Sequence, residues 1–225
     1  MMRAAIAGLI GVVALCAVAA QTGETIEFSG DQTEIVLADG REFTRLVGNA
    51  NVRTSDLAIA AGEIELSGDD FRYADARGGV RAVDEEAELE IRARRLHFDR
   101  ETDFTRAEQS VIVTDGDNDL VLRGELLELR DDILEVQVGV RVLREDLTAR
   151  AQFMRYRRDD DVLELSGFPV VFWDGDEYRA RRIVMNLETE EIELIGQVQG
   201  AVQLADEEST EADQTETEAA DAGDE

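Results

Sequence analysis

The chain has 225 residues, of which 52 are Asp or Glu and 23 are Arg, with no Lys, for a formal net charge of −29. Such a balance excludes nonspecific nucleic-acid binding, which draws its affinity from cations that neutralise phosphates. One His and one Cys leave no internal disulfide and no zinc constellation.

Residues 1–20 read as a secretory signal peptide, with Arg3 as the positive start, an apolar run from Ile6 to Val18, and Val18-Ala19-Ala20 as a small-residue cleavage site. The run is shorter than the roughly 20 apolar residues that span a bilayer. Cys16 lies inside it, so the mature chain is expected to have no cysteine.

Residues 21–204 form one domain built from a repeated phrase. Apolar residues alternate, reach an Ala or Gly, then jump three positions: Ile59, Ala61 then Ile64, Leu66; Leu89, Ile91, Ala93 then Leu96, Phe98; Leu120, Leu122, Gly124 then Leu127, Leu129; Ala149, Ala151 then Met154, Tyr156; Tyr178, Ala180 then Ile183, Met185. Strand side chains repeat every two residues, so an odd step reverses the apolar face unless the backbone bulges or turns a corner, where a small residue fits. The small residues stand 27 to 32 apart, a period that signals stacked supersecondary units.

A second element recurs between these phrases, centred on Val52, Val80, Val111, Val140, Val170 and Val198. Its fullest copy, Leu134, Val136, Val138, Val140, Val142, alternates with polar residues and Gly and predicts a strand with one wet and one buried face. Acidic breaks such as Asp69-Asp70, Asp131-Asp132 and Asp174-Gly175 tolerate left-handed turn conformations and predict hairpins between antiparallel neighbours. Each unit of about 30 residues then holds two long strands. Glu85 to Glu101 is rich in helix formers, but Ile91 and Phe98 fall outside any helical stripe, and the equivalent phrases carry Val, Ile, Tyr and Phe; strand is predicted there too. The single proline, Pro169, stands where a strand begins and a missing donor is tolerated.

Residues 205–225 hold no basic and no large apolar residue and are expected to form a disordered acidic tail, acting either as a solubiliser or as a shield for the last edge strand.

The positions expected to face inward are Ile64, Leu66, Leu89, Ile91, Leu96, Phe98, Leu120, Leu122, Leu127, Leu129, Val136, Val138, Phe153, Tyr156, Ile183 and Met185. They line either an ordinary core, if two walls close on each other, or an oily groove, if the walls splay. Arg92, Arg94, Arg95, then Arg155, Arg157, Arg158, then Arg179, Arg181, Arg182 cluster near three corners, and either hold anionic headgroups at a rim or point outward and pair with acids such as Glu63, Glu65, Glu125 and Glu128. His97, between Leu96 and Phe98, is expected on the wet face. Paired acids at Asp69-Asp70 and Asp159 to Asp161 coincide with predicted turns, so solvation explains them better than catalysis or calcium.

The phrases Leu46-Val47-Gly48-Asn49-Ala50-Asn51-Val52, Leu163-Glu164-Leu165-Ser166-Gly167 and Ala180-Arg181-Arg182-Ile183-Val184-Met185 resemble strand signatures of the lipopolysaccharide-transport bridge family, the LptA or OstA-like proteins, relatives of LptC and the periplasmic part of LptD. The resemblance runs from about Glu24 to about Gln203. It implies an all-β fold, an elongated antiparallel β-jellyroll or β-taco, exported to the periplasm. It further implies a non-enzymatic, cofactor-free carrier for lipopolysaccharide or another acylated glycolipid in outer-membrane biogenesis, joining other β-jellyroll transport proteins or itself end to end by strand addition. The family's Ala-Asp corner pair is absent; Gly62, Arg94, Glu125, Gln152 and Arg181 stand in the second place. A different reading of the same repeats is a non-catalytic structural or adhesive β-protein of the envelope.

Overall fold

Apolar alternation carries strand structure through the whole repeat region of a computed structural model, which describes residues 25–36 and 43–202. The signal peptide, Cys16 and the acidic tail lie outside the described residues. The strands are β1 (Glu27–Ser29), β2 (Gln32–Val36), β3 (Phe43–Arg53), β4 (Leu57–Ser67), β5 (Tyr73–Asp84), β6 (Leu89–Asp99), β7 (Phe104–Asp115), β8 (Leu120–Arg130), β9 (Ile133–Leu143), β10 (Leu147–Arg157), β11 (Val162–Ser166), β12 (Val170–Trp173), β13 (Asp176–Arg179), β14 (Arg182–Asn186), β15 (Ile192–Ile195) and β16 (Gln199–Ala201). All pairs are antiparallel, and β3 to β10 follow one another as a meander. Asp131-Asp132, both left-handed, make a two-residue hairpin between β8 and β9, as does Asp174-Gly175 between β12 and β13. Glu85 to Glu101 contains β6, as its apolar pattern predicts.

Every long strand bends at mid-length. On β4, β6, β8 and β10 the inward residues step by three across the bend, from Ala61 to Ile64, Ala93 to Leu96, Gly124 to Leu127 and Ala151 to Met154. On β3, β5, β7 and β9 they step by four, from Leu46 to Ala50, Ala76 to Val80, Ala107 to Val111 and Val136 to Val140. Each of these second strands therefore carries one residue more than its neighbour, and the register shifts there by one. A left-handed pair absorbs the excess: Gly48-Asn49, Gly78-Gly79, Gln109-Ser110 and Val138-Gly139. On the tighter strands smallness is what matters, since a Cβ at Gly124 would collide with the Val136 side chain.

The bends line up and fold the sheet into two facing walls. At β10 it forks: Leu147 to Arg150 pairs β12, while Phe153 to Arg157 pairs β11. β11 and β12 are thus two halves of one bent strand around Gly167-Phe168, another left-handed pair. The first wall runs through β12, β13 and β16, the second through β11, β14 and β15. Between the walls lies one apolar core, from Leu46 to Leu187.

Two expected inward residues face out. Val138 is 54% exposed and Phe153 51%, because both sit in the bend, where two or three consecutive side chains point away from the core. The period of two read through Val138 is broken by its left-handed backbone.

Candidate functional site

The free ends of the two walls form two lips, and the lips are tied at one end. Arg158, in the turn after β10, crosses from the second wall to the first. Its Nε and Nη2 donate to the two oxygens of Asp115, each at 3.1 Å, and Nη2 also donates to the Ala87 carbonyl at 2.7 Å. Asp117 and Asp132 add carboxylates at 3.3 and 3.5 Å. The Asp115 side chain is fully buried, and Tyr156 beside it is fully buried too; burial first, and Asp115 next, push its phenol upward. A second tie lies further along, where Arg144 grips Asp146 bidentately at 2.6 Å and reaches the Leu187 carbonyl across the mouth at 3.2 Å. Arg144 first, and the Trp173 indole after it, hold the Asp146 carboxyl down at about 2. At the opposite end Arg72 bonds within its own lip, to Asp99 at 2.7 and 2.8 Å and to Glu101, and Arg100 donates to the Asp70 carbonyl at 2.6 Å. Arg72 holds Asp99 far below the usual carboxylate range.

Inward side chains differ between these two ends. Past β7 they are mostly large, Leu120, Leu122, Leu127, Leu134, Met154, Tyr156, Leu163, Leu165, Ile183 and Met185, and essentially unexposed. On β5 they are Ala74, Ala76, Val80 and Ala82, with Thr105 and Ala107 following on β7. Facing walls packed through Ala cannot reach each other at the spacing that Leu sets, so space remains.

That space is a cavity of about 540 Å³ opening between the lips. The first wall contributes Leu57, Ile59, Ala82, Leu89 and Ile91; the second contributes Leu96, Phe98, Thr105 and Leu129. Thr54, Ser55, Asp56, Asp84, Arg100 and Asp103 form a polar rim. An apolar hollow of this size with a few polar groups at its entrance has the dimensions of a small-molecule site.

Of the expected lining, Leu89, Ile91, Leu96, Phe98 and Leu129 border the cavity. Ile64, Leu66, Leu120, Leu122, Leu127, Val136, Tyr156, Ile183 and Met185 are buried in the core, and Val138 and Phe153 lie outside. Leu57, Ile59, Ala82 and Thr105 are not among the expected positions. A signal for them exists in the sequence: Ala74, Ala76 and Ala82 are the smallest inward set in any long strand.

The arginine clusters mostly point outward, as one of the two readings has it, but their partners are not the expected Glu63, Glu65, Glu125 and Glu128. Arg92 pairs with Glu90, Arg155 with Glu135, Arg157 with Asp160, Arg179 with Glu177 and Arg182 with Glu164. Arg158, the exception, is the clasp. Glu63 lies between Arg77 and Arg45, which hold its carboxyl down at about 2. His97 is partly exposed, 2.9 Å from Asp75 and stacked on Tyr73. Among the described residues no group of His, Cys, Asp and Glu is arranged to hold a metal ion.

No protein-family model matches the chain, and no curated protein is significantly similar to it. Among solved structures, it is similar to LptH from Pseudomonas aeruginosa, described as the LptA homologous periplasmic component of the conserved lipopolysaccharide transport device. The identity is 9% and the TM-score 0.25, over 80% of this chain and 96% of that one.

Proposed function

We propose that this chain is a non-enzymatic periplasmic carrier that shelters the acyl chains of lipopolysaccharide or a related glycolipid between its two walls. The cavity at the open end of the mouth carries the proposal. Each methylene moved from water into such a lining contributes roughly 0.8 kcal/mol, so hydrocarbon needs no catalytic group to be held. The polar headgroup would stay at the rim formed by Thr54, Ser55, Asp56, Asp84, Arg100 and Asp103. The ends of the sheet suit assembly. Among the described residues β1, β2, β15 and β16 each pair on one side only, and Phe28, Ile35, Ile195 and Val198 stand exposed there, so another jellyroll or a second copy can extend the sheet by strand addition.

The test fills the hollow. The purified native chain is expected to carry or take up an acylated glycolipid, read by mass spectrometry, and a photo-crosslinking residue at Leu129 should label the acyl chain while one at the packed Leu127 should not. Ala82→Phe should abolish uptake without lowering thermal stability. A native chain that binds no acyl probe, or labels equally at both positions, would leave the envelope-scaffold reading, to which the tightly packed far half of the molecule lends itself.

A further inference from the structure

On the outer face of the first wall, neighbouring strands place arginines in one line. Arg123 on β8 is directly opposite Arg141 on β9, which is directly opposite Arg150 on β10. The line continues through Val170 to Arg179 and ends at Gln199 on β16. Arg123, Arg141 and Arg150 are exposed, and no carboxylate among the described residues pairs with any of them. The next row toward the lip sets Thr114, Val121, Leu143, Thr148 and Phe172 beside them; its acids, Glu90 and Glu177, stand at the two ends and are held by Arg81 and Arg92 and by Arg179.

Like charges directly opposite on one sheet face repel. The second wall also sets like charges opposite one another, Arg77 with Arg95 and Glu128 with Glu135, but it places opposite charges beside them: Glu63 binds Arg45 and Arg77, Arg106 bonds Glu128, and Arg155 lies 3.8 Å from Glu135. A chain with 52 acidic residues has ample means to do the same on the first wall. The three bare arginines instead leave a cationic strip, flanked by apolar and hydroxyl groups, on an otherwise strongly anionic molecule.

We infer that the strip is the docking site of the chain's own acidic C-terminal segment. Residues 206–225 contain ten Asp and Glu and no basic residue, opening with Asp206-Glu207-Glu208. The described chain leads into that segment from β16, whose first residue stands at the end of the arginine line. From β16 to Arg150 is three strand spacings, roughly 14 Å, and a flexible chain of about six residues has a root-mean-square span of the same size. Arg123 lies two spacings further, within reach of the later acids. Tethering makes the encounter intramolecular, at an effective concentration in the millimolar range that a free competitor must match. The segment then neutralises the row and covers the apolar flank.

The absence of lysine supplies the test. Arg141→Lys in the full chain keeps the charge and introduces a single side-chain amine, which a carbodiimide joins to any carboxylate in contact, with loss of water to the reagent. Arg155→Lys on the second wall is the control, because Glu135 already faces that position. Peptide mapping of the monomer should find the introduced amine joined to residues 206–225, at least about tenfold above the control, as a tethered local partner requires. The product should disappear near 1 M salt, where the screening length falls to roughly 3 Å. Equal joining at both positions, a product only between two copies, or no tail product overturns the inference. So does flotation of the full chain with phosphatidylglycerol vesicles that Arg123→Gln/Arg141→Gln/Arg150→Gln abolishes, since the strip would then belong to a membrane surface.

Discussion

The strands β4 to β6 and β8 to β10 share length, bend and meander topology, yet the cavity lies at the first and the interior beside the second is filled by large side chains. Bend geometry is not the cause, because both halves carry the same three-step and four-step corners. Inward volume is: Ala74, Ala76 and Ala82 on one side, Leu122, Leu127, Tyr156 and Met185 on the other. The lips are bridged by Arg158 where the walls meet. One architecture thus supplies a rigid anchor and an adaptable pocket, separated by a few side-chain substitutions.

The contrast can be broken most severely at the clasp. Arg158→Ala leaves the unexposed Asp115 without its cation, and an uncompensated buried carboxylate costs about 3–5 kcal/mol, read as a lower urea midpoint. Truncation in the two cores should separate next: Leu122→Ala in the packed half is expected to cost about 2–5 kcal/mol, whereas Leu89→Ala, whose side chain already borders empty space, should fall at or below the lower end of that range. Acid sharpens the picture at the second tie. The Asp146 carboxyl, held at about 2 rather than its ordinary 3.8, contributes stability that is complete above the ordinary value and is lost as pH falls toward 2. Melting temperature should therefore be level above about pH 5 and decline between pH 4 and pH 2, with Asp146→Asn flattening the decline. Smallest is the effect of relieving the bend itself: Val138→Gly removes a β-branched side chain from a left-handed, exposed position and should raise stability by about 1 kcal/mol.

Much of the fold was legible because corners demand particular chemistry. Ala61, Ala93, Gly124 and Ala151 mark the bends where the three-residue step puts them, and the acidic pairs mark hairpins because two left-handed residues in succession suit Asp and Gly. The four-step strands were less legible. Their left-handed pairs include Gln109-Ser110 and Val138, which carry no glycine at the decisive place, so Val138 passes for one more inward valine. Phe153 misleads for a related reason: on the three-step strand β10 two successive residues, Gln152 and Phe153, face out at the bend, and an aromatic there looks like core until the fold shows otherwise.

By itself the sequence determined the all-β repeat, the three-step bends and most of the inward side chains, since these depend on local periodicity and on residues that tolerate tight backbone. Only the tertiary structure decided where the walls touch and where they part. That depends on the summed volumes of side chains from strands far apart in the chain, and on Arg158 reaching Asp115 across 43 positions of sequence. Neither quantity is a property of any one segment.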